Sequence, residues 1–114
     1  MARRLLLLLL LTAGCSKGPQ ADLPYISEAR SLAAEWALVN EQAAQGKLTA
    51  TYVRTMRQSV RQQLQTTATS LTKPDSRYGG EVEALLAEPV DAPPAALRAH
   101  ADRLKQIEDS LESA

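Results

Sequence analysis

Residues 23–72 read LPYISEARSLAAEWALVNEQAAQGKLTATYVRTMRQSVRQQLQTTATSLT, and the spacing of their apolar side chains decides the fold. Tyr25, Ala29, Leu32, Trp36, Val39 and Ala43 recur at alternating steps of four and three, which lays one stripe along an α-helix. Asp22 is placed to cap the N-terminus and Gly46 to stop the helix, so a first helix is predicted over 23–45. Thr49 is the expected cap of a second helix, whose stripe is Tyr52, Met56, Val60, Leu64 and Leu71. That helix should stop near Thr72, because Pro74 disfavours helical backbone at Lys73. Only GKLT connects the two, and so short a link favours antiparallel neighbours, an αα-hairpin. Trp36 and Tyr52 are assigned to packing across it.

Downstream, Lys73 to Gly80 reads KPDSRYGG, turn chemistry throughout. A short third helix is predicted over 81–87, with Val82, Leu85 and Leu86 on one side, and Pro89, Pro93 and Pro94 break the chain after it. A last helix starts near Pro93 or Pro94, capped by Asp91 or Ala92, and presents Leu97, Leu104, Ile107 and Leu111. No strand pattern competes and no internal repeat is present. The expected class is all-α: a small antiparallel hairpin or bundle of three to four helices over 23–114.

Upstream, the chain begins Met1, Ala2, Arg3, Arg4, continues through seven leucines, Leu5 to Leu11, and reaches Thr12, Ala13, Gly14 and the only cysteine, Cys15. A charged start, a short apolar run and a small-residue zone make a signal peptide. The run is far short of the ~20 residues a permanent span needs. Leu11 to Cys15 resembles the bacterial lipobox, with Ala13 and Gly14 in the small positions and Thr12 where leucine is commonest. The resemblance implies cleavage between Gly14 and Cys15 and covalent diacylglyceryl and N-acyl lipid on Cys15. The thiolate is the nucleophile that such a transfer needs. A plain signal peptide followed by a free thiol is the alternative, and an exposed thiol in an oxidising compartment is a liability. Two or three acyl chains, at ~0.8 kcal/mol per buried methylene, hold a protein to a bilayer permanently. The implied place is the bacterial cell envelope, lipid-anchored and facing the periplasm, with Ser16 resembling the outer-membrane default. Residues 1–14 are then the leader and 15–22 a lipidated tether, reaching at most about 25 Å.

The part left after cleavage is one small domain with no disulfide available. Its larger apolar side chains are few and alanine fills much of the rest, so its core is lean and docking on a membrane, an envelope protein or a second copy is expected. From Cys15 onward thirteen Asp and Glu face eleven Lys and Arg, a net charge of −2 that excludes a nucleic-acid binder's balance. The charges are sorted by segment: Lys47, Arg54, Arg57, Arg61 and Lys73 without an acid between them, then Glu81, Glu83, Glu88 and Asp91 without a base.

Arg54, Arg57 and Arg61 lie three and four residues apart, on one helical face. They read either as a stripe for anionic lipid or envelope polymer, or as internal partners of Glu28, Glu35, Glu41 or the 81–91 acids. His100, the only histidine, is expected to be a solvated helix residue, since Asp102 lies on another face and no nucleophile accompanies it. Glu81 and Glu83, or Glu108, Asp109 and Glu112, lack the histidine spacing of a metal site, and Gly79 and Gly80 make no phosphate loop. No catalytic residue, metal or diffusible cofactor is expected. The sequence thus points to a non-enzymatic interaction or structural lipoprotein, or to a surface-binding module that uses the arginine stripe.

Overall fold

Leu23–Ala44 forms α1, the helix against which the others are arranged. The computed structural model describes residues 18–114, so the leader, Gly14 and Cys15 lie outside the described residues. After a single 3-10 turn at Pro19–Asp22 come α1, α2 (Ala50–Ser70), α3 (Arg77–Leu86) and α4 (Pro94–Glu112). The expected all-α bundle is the architecture found, with no strand among the described residues. The stretch 19–22, assigned above to the tether, is already part of the fold.

Side-chain pairings give the directions. Asp22, before α1, meets Thr72, after α2, while Asn40 near the end of α1 meets Arg57 of α2, so α1 and α2 are antiparallel. Arg30 pairs with Glu108 and Glu41 with Arg98, which makes α4 antiparallel to α1 as well. Ala29, Ala33 and Ala37 form a ridge of small side chains beside Arg30 and Glu41, on the side that α4 occupies, and small residues allow close helix approach. Ile26, Leu32 and Trp36 widen the buried face of α1, which is covered on two sides instead of one. Val60 and Leu64 of α2, Tyr78, Val82 and Leu85 of α3, and Leu97, Leu104 and Ile107 of α4 complete one hydrophobic cluster.

The helix ends follow local chemistry. Gly46, at φ 69°, takes the left-handed position after α1. Its N–H donates to Ala43 O and that of Lys47 to Gln42 O, a Schellman closure that a Cβ at Gly46 would strain. Thr49 caps α2 as expected, its Oγ1 accepting from Tyr52 N at 3.2 Å.

Four local expectations are corrected. The stripe of α2 runs through Val53, Val60, Leu64 and Thr67, leaving Tyr52 49% exposed and Met56 half-buried, because Val53 shares the face of Val60, seven residues on. Leu71 is buried, but just past the helix. The RYGG of the presumed turn is the first turn of α3, capped by Ser76, whose Oγ accepts from Gly79 N at 3.1 Å. Here glycine answers a packing need, since a Cβ on Gly79 would lie 2.2 Å from the Pro74 carbonyl oxygen. Helix α4 has Pro93 as its cap and Pro94 in its first turn, so neither Asp91 nor Ala92 caps it.

The fourth correction concerns Asp22, which makes no side-chain cap to α1. It is fully buried and its carboxylate accepts from four donors, three in the α2–α3 connection and one in the first turn of α3. These are Thr72 N (2.9 Å), Thr72 Oγ1 (3.0 Å), Lys73 N (3.2 Å) and Tyr78 Oη (2.6 Å). Burial by itself would raise the pKa of Asp22, but the bonds from Tyr78, Thr72 and Lys73 outweigh it and hold the carboxyl below its ordinary 3.8. Burial and the same hydrogen bond push the Tyr78 phenol up to about 12.

A raised folded-state pKa gives stability that is complete below the phenol's ordinary 10 and disappears as pH rises through about 12. The wild-type chain should therefore lose up to about 3 kcal/mol across that alkaline window. Tyr78→Phe should cost about 2 kcal/mol at pH 7 and remove that part of the alkaline loss. Urea denaturation of both proteins at pH 7 and pH 11 measures it, and equal alkaline losses would contradict it.

Candidate functional site

The last turns of α1 and the first half of α2 bound a groove of about 700 Å³, closed on a third side by Val90 in the α3–α4 connection. Ala43, Leu48, Ala50, Val53 and Val90 make it largely apolar, and Arg54, Arg57, Arg61 and Gln58 bring the polar groups. All three arginines singled out in the sequence thus come to one place. They share it with alanine and valine side chains that the charge pattern alone did not mark.

Two of the three are held from behind. Arg57 Nε donates to Asn40 Oδ1 at 2.8 Å. Asn40, itself buried, spends its amide N–H groups on the carbonyls of Val90 (3.1 Å) and Ala92 (2.9 Å). Trp36 Nε1 donates to the same Val90 carbonyl at 2.9 Å. Arg61 donates from Nη1 to Glu88 O at 3.0 Å and from Nη2 to Leu86 O at 3.4 Å, at the C-terminal end of α3 where helix carbonyls lack partners. Its guanidinium also stands 5.7 Å from the centre of the Trp36 ring, within cation–π range. Arg54 is exposed.

Internal pairing of the stripe with carboxylates is not what forms. Glu41 is taken by Arg98, Glu108 by Arg30 and Glu81 by Arg103. Glu88 offers Arg61 only its backbone carbonyl. Among the described residues no ion pair reaches Arg54, Arg57 or Arg61. The acceptors that orient Arg57 and Arg61 are neutral, so the side chains are positioned while their positive charge stays uncompensated at the groove.

His100 is corrected outright. It is 5% exposed, wedged between α3 and the connection after it, with Nδ1 against Glu81 Oε2 and Nε2 2.7 Å from Glu88 Oε2. Arg103 Nε donates to the other Glu81 oxygen at 3.0 Å. Glu81 lies on α3 and Glu88 two residues past its end, so the two carboxylates reach the ring from a helix and from the connection that follows it. The cluster joins α3 to α4. Each carboxylate meets a different ring nitrogen, and among the described residues no group of His, Cys, Asp and Glu could hold a metal ion. Asp102 is exposed and takes no part.

Leu38, at 51%, and Tyr52 are the other large apolar side chains that stand out, and neither lines the groove. Among the described residues no helix is long and apolar enough to cross a membrane. No protein-family model matches the chain, and neither characterised proteins nor solved structures give a match.

Asn40→Ala removes the support of Arg57 and leaves the buried Ala92 carbonyl without its donor, with an expected cost of about 2–3 kcal/mol by urea denaturation. His100→Leu leaves Glu81 and Glu88 facing an apolar side chain and should cost about 2–4 kcal/mol. Glu81→Gln and Glu88→Gln together should recover at least 1 kcal/mol in the His100→Leu background, and additive losses across that cycle would show that the three are not coupled.

Proposed function

We propose that this chain is a lipid-anchored protein of the bacterial cell envelope, with no catalytic role, whose helical domain is a binding module that uses the basic groove face of α2. Cleavage between Gly14 and Cys15 and lipid on Cys15 rest on Arg3 and Arg4, the Leu5–Leu11 run and the lipobox-like ending, all read from the sequence. The observation that carries the binding role is the uncompensated charge of Arg54, Arg57 and Arg61. A bundle that neutralises Arg30, Arg98 and Arg103 with its own acids leaves Arg57 and Arg61 on neutral acceptors and Arg54 exposed, with no ion pair to any of the three among the described residues. Anionic headgroups or envelope polymers are the complement of such a face.

The short link supports the same reading. Folded structure begins at Pro19, so the chain from Cys15 reaches at most about 14 Å before the domain starts. The domain would be held against the periplasmic surface, of the outer membrane by the Ser16 rule. The protein-partner reading, with another envelope protein or a second copy docked on the helices, has the exposed Leu38 and Tyr52 in its favour.

Mass spectrometry of the mature N-terminal peptide should find acylated Cys15, and Cys15→Ser should abolish that modification and the processing. Residues 16–114 should pellet with phosphatidylglycerol vesicles at 50 mM salt and be released at 500 mM. Charge reversal in Arg54→Glu should weaken pelleting at least fivefold, at ~1 kcal/mol per basic residue near an anionic surface. An unmodified Cys15 in a soluble mature protein overturns the anchor. Pelleting indifferent to both salt and Arg54→Glu overturns the basic-face reading and favours the protein-partner one.

A further inference from the structure

The groove at Arg54 and Arg57 is more than a charged patch. A flat surface that adsorbs to headgroups needs only exposed cations. This site has three walls, from α1, α2 and Val90, and its lining beyond the arginines and Gln58 is alanine, leucine and valine. Its volume of about 700 Å³ lies inside the range of about 300–1,000 Å³ typical of small-molecule sites. Val90, 45% exposed, is an apolar side chain kept at the rim because its carbonyl is fixed by Trp36 and Asn40. Polar chemistry sits at the α2 wall. Asn40 occupies only Nε of Arg57, both terminal nitrogens make no hydrogen bond among the described residues, and two adjacent N–H groups of a guanidinium match the oxygens of a phosphate or carboxylate. Arg54, one turn earlier, makes no ion pair among the described residues.

We propose that the groove binds a single-chain anionic amphiphile, its phosphate or carboxylate head on Arg54 and Arg57 and its alkyl chain along Ala43, Leu48, Val53 and Val90. The proposal deepens the basic-face reading and rests on it. Charge complementarity selects an anionic head, and the apolar floor selects an attached chain over a free ion. The compactness of the groove selects one amphiphile over an acidic helix, which would need an apolar stripe continuing past Leu48 or Arg61.

The test uses the full chain in nanodiscs of phosphatidylcholine, which carries no net charge, with a diazirine-bearing dodecyl phosphate as the probe and residue-level mass spectrometry as the readout. Saturable labelling is expected at Ala43, Leu48, Val53 and Val90. Unlabelled dodecyl phosphate should compete, whereas dodecanol, the chain alone, and inorganic phosphate, the head alone, should need at least tenfold higher concentration. Arg54→Glu, at an exposed position, and Ala50→Trp, which fills the groove from an exposed first-turn position of α2, should each reduce labelling at least tenfold while circular dichroism melting stays like that of the wild type. Labelling that no competitor reduces, that survives both variants, or that falls on Leu38 in place of the groove would overturn the proposal. Competition by inorganic phosphate alone at equal concentration would also overturn it, in favour of a plain anion site. If labelling fails while residues 16–114 still bind phosphatidylglycerol vesicles in a salt-dependent way, the groove is retired and the basic-face reading stands; failure of both retires both.

Discussion

The carboxylate of Asp22 is the constraint on which the arrangement depends. A buried anion is tolerated only where donors converge on it, and here three come from the turn fifty residues away that links α2 to α3 and the fourth from Tyr78 just beyond it. The start of α1 and the end of α2 are thereby fixed to one another, and Tyr78 brings the first turn of α3 to the same point. At the other end of α1, Trp36 and Asn40 hold the carbonyls of Val90 and Ala92 and so fix the approach to α4. In a core this rich in alanine, apolar burial favours many sliding arrangements of the helices by similar amounts. Polar fasteners at both ends of α1 distinguish among them, because a shifted helix would leave buried groups without partners.

The apolar periods of 23–72, 82–86 and 97–111 were enough to read four helices and their order, since a helix records its buried face in its own sequence. Thr49 and Gly46 were legible for the same reason: capping is settled within a few residues. What was not legible depends on residues far apart in the chain. Asp22 looks like a cap until Tyr78 is seen to reach it. The RYGG of 77–80 has the composition of a turn, and only the approach of the Pro74 carbonyl shows Gly79 to be a packing residue inside a helix. His100 reads as solvated because nothing beside it in the chain shows that Glu81 and Glu88, from α3 and the connection after it, fold against its ring. The arginine stripe was visible in the sequence, but its neutral acceptors were not, because Asn40, Leu86 and Glu88 meet it only in the folded chain.

Those acceptors decide what the stripe can do. A carboxylate beside Arg57 would have oriented it and cancelled its field together; an amide oxygen orients it and leaves the field. Likewise the carbonyls of Leu86 and Glu88 take Arg61 in exchange for capping α3, a contact in which the cation also faces the favourable end of the helix dipole. Of the acids that could have neutralised the stripe, Glu41, Glu81 and Glu88 are drawn off toward α4 by Arg98, Arg103 and His100. Segregation of charge along the sequence thus becomes segregation in space, with one basic groove on a domain whose net charge is slightly negative.

The two ends of α1 set the reach of that groove. Twenty-two helical residues rise about 33 Å, so the groove lies that far along the helix from the point where the chain emerges toward Cys15. In the proposed anchored state, with about 14 Å of chain between Cys15 and Pro19, a bundle standing upright carries the groove away from its own membrane. Only a bundle lying along the surface brings Arg54 to the headgroups. Adsorption to the home bilayer therefore requires the helices to lie down, which places a long side of the bundle against lipid. Capture of a single amphiphile makes no such demand, since the ligand can be taken up in either posture. The polar run of Gln62, Gln63, Thr66 and Ser70 lies toward the anchored end of α2, and hydroxyl and amide side chains there suit a hydrated headgroup region without inserting into it. In that proposed state an upright domain, polar at its foot and open at its far end, fits the short link and the compact apolar floor, and the groove proposed for a single amphiphile would meet molecules that have left a bilayer.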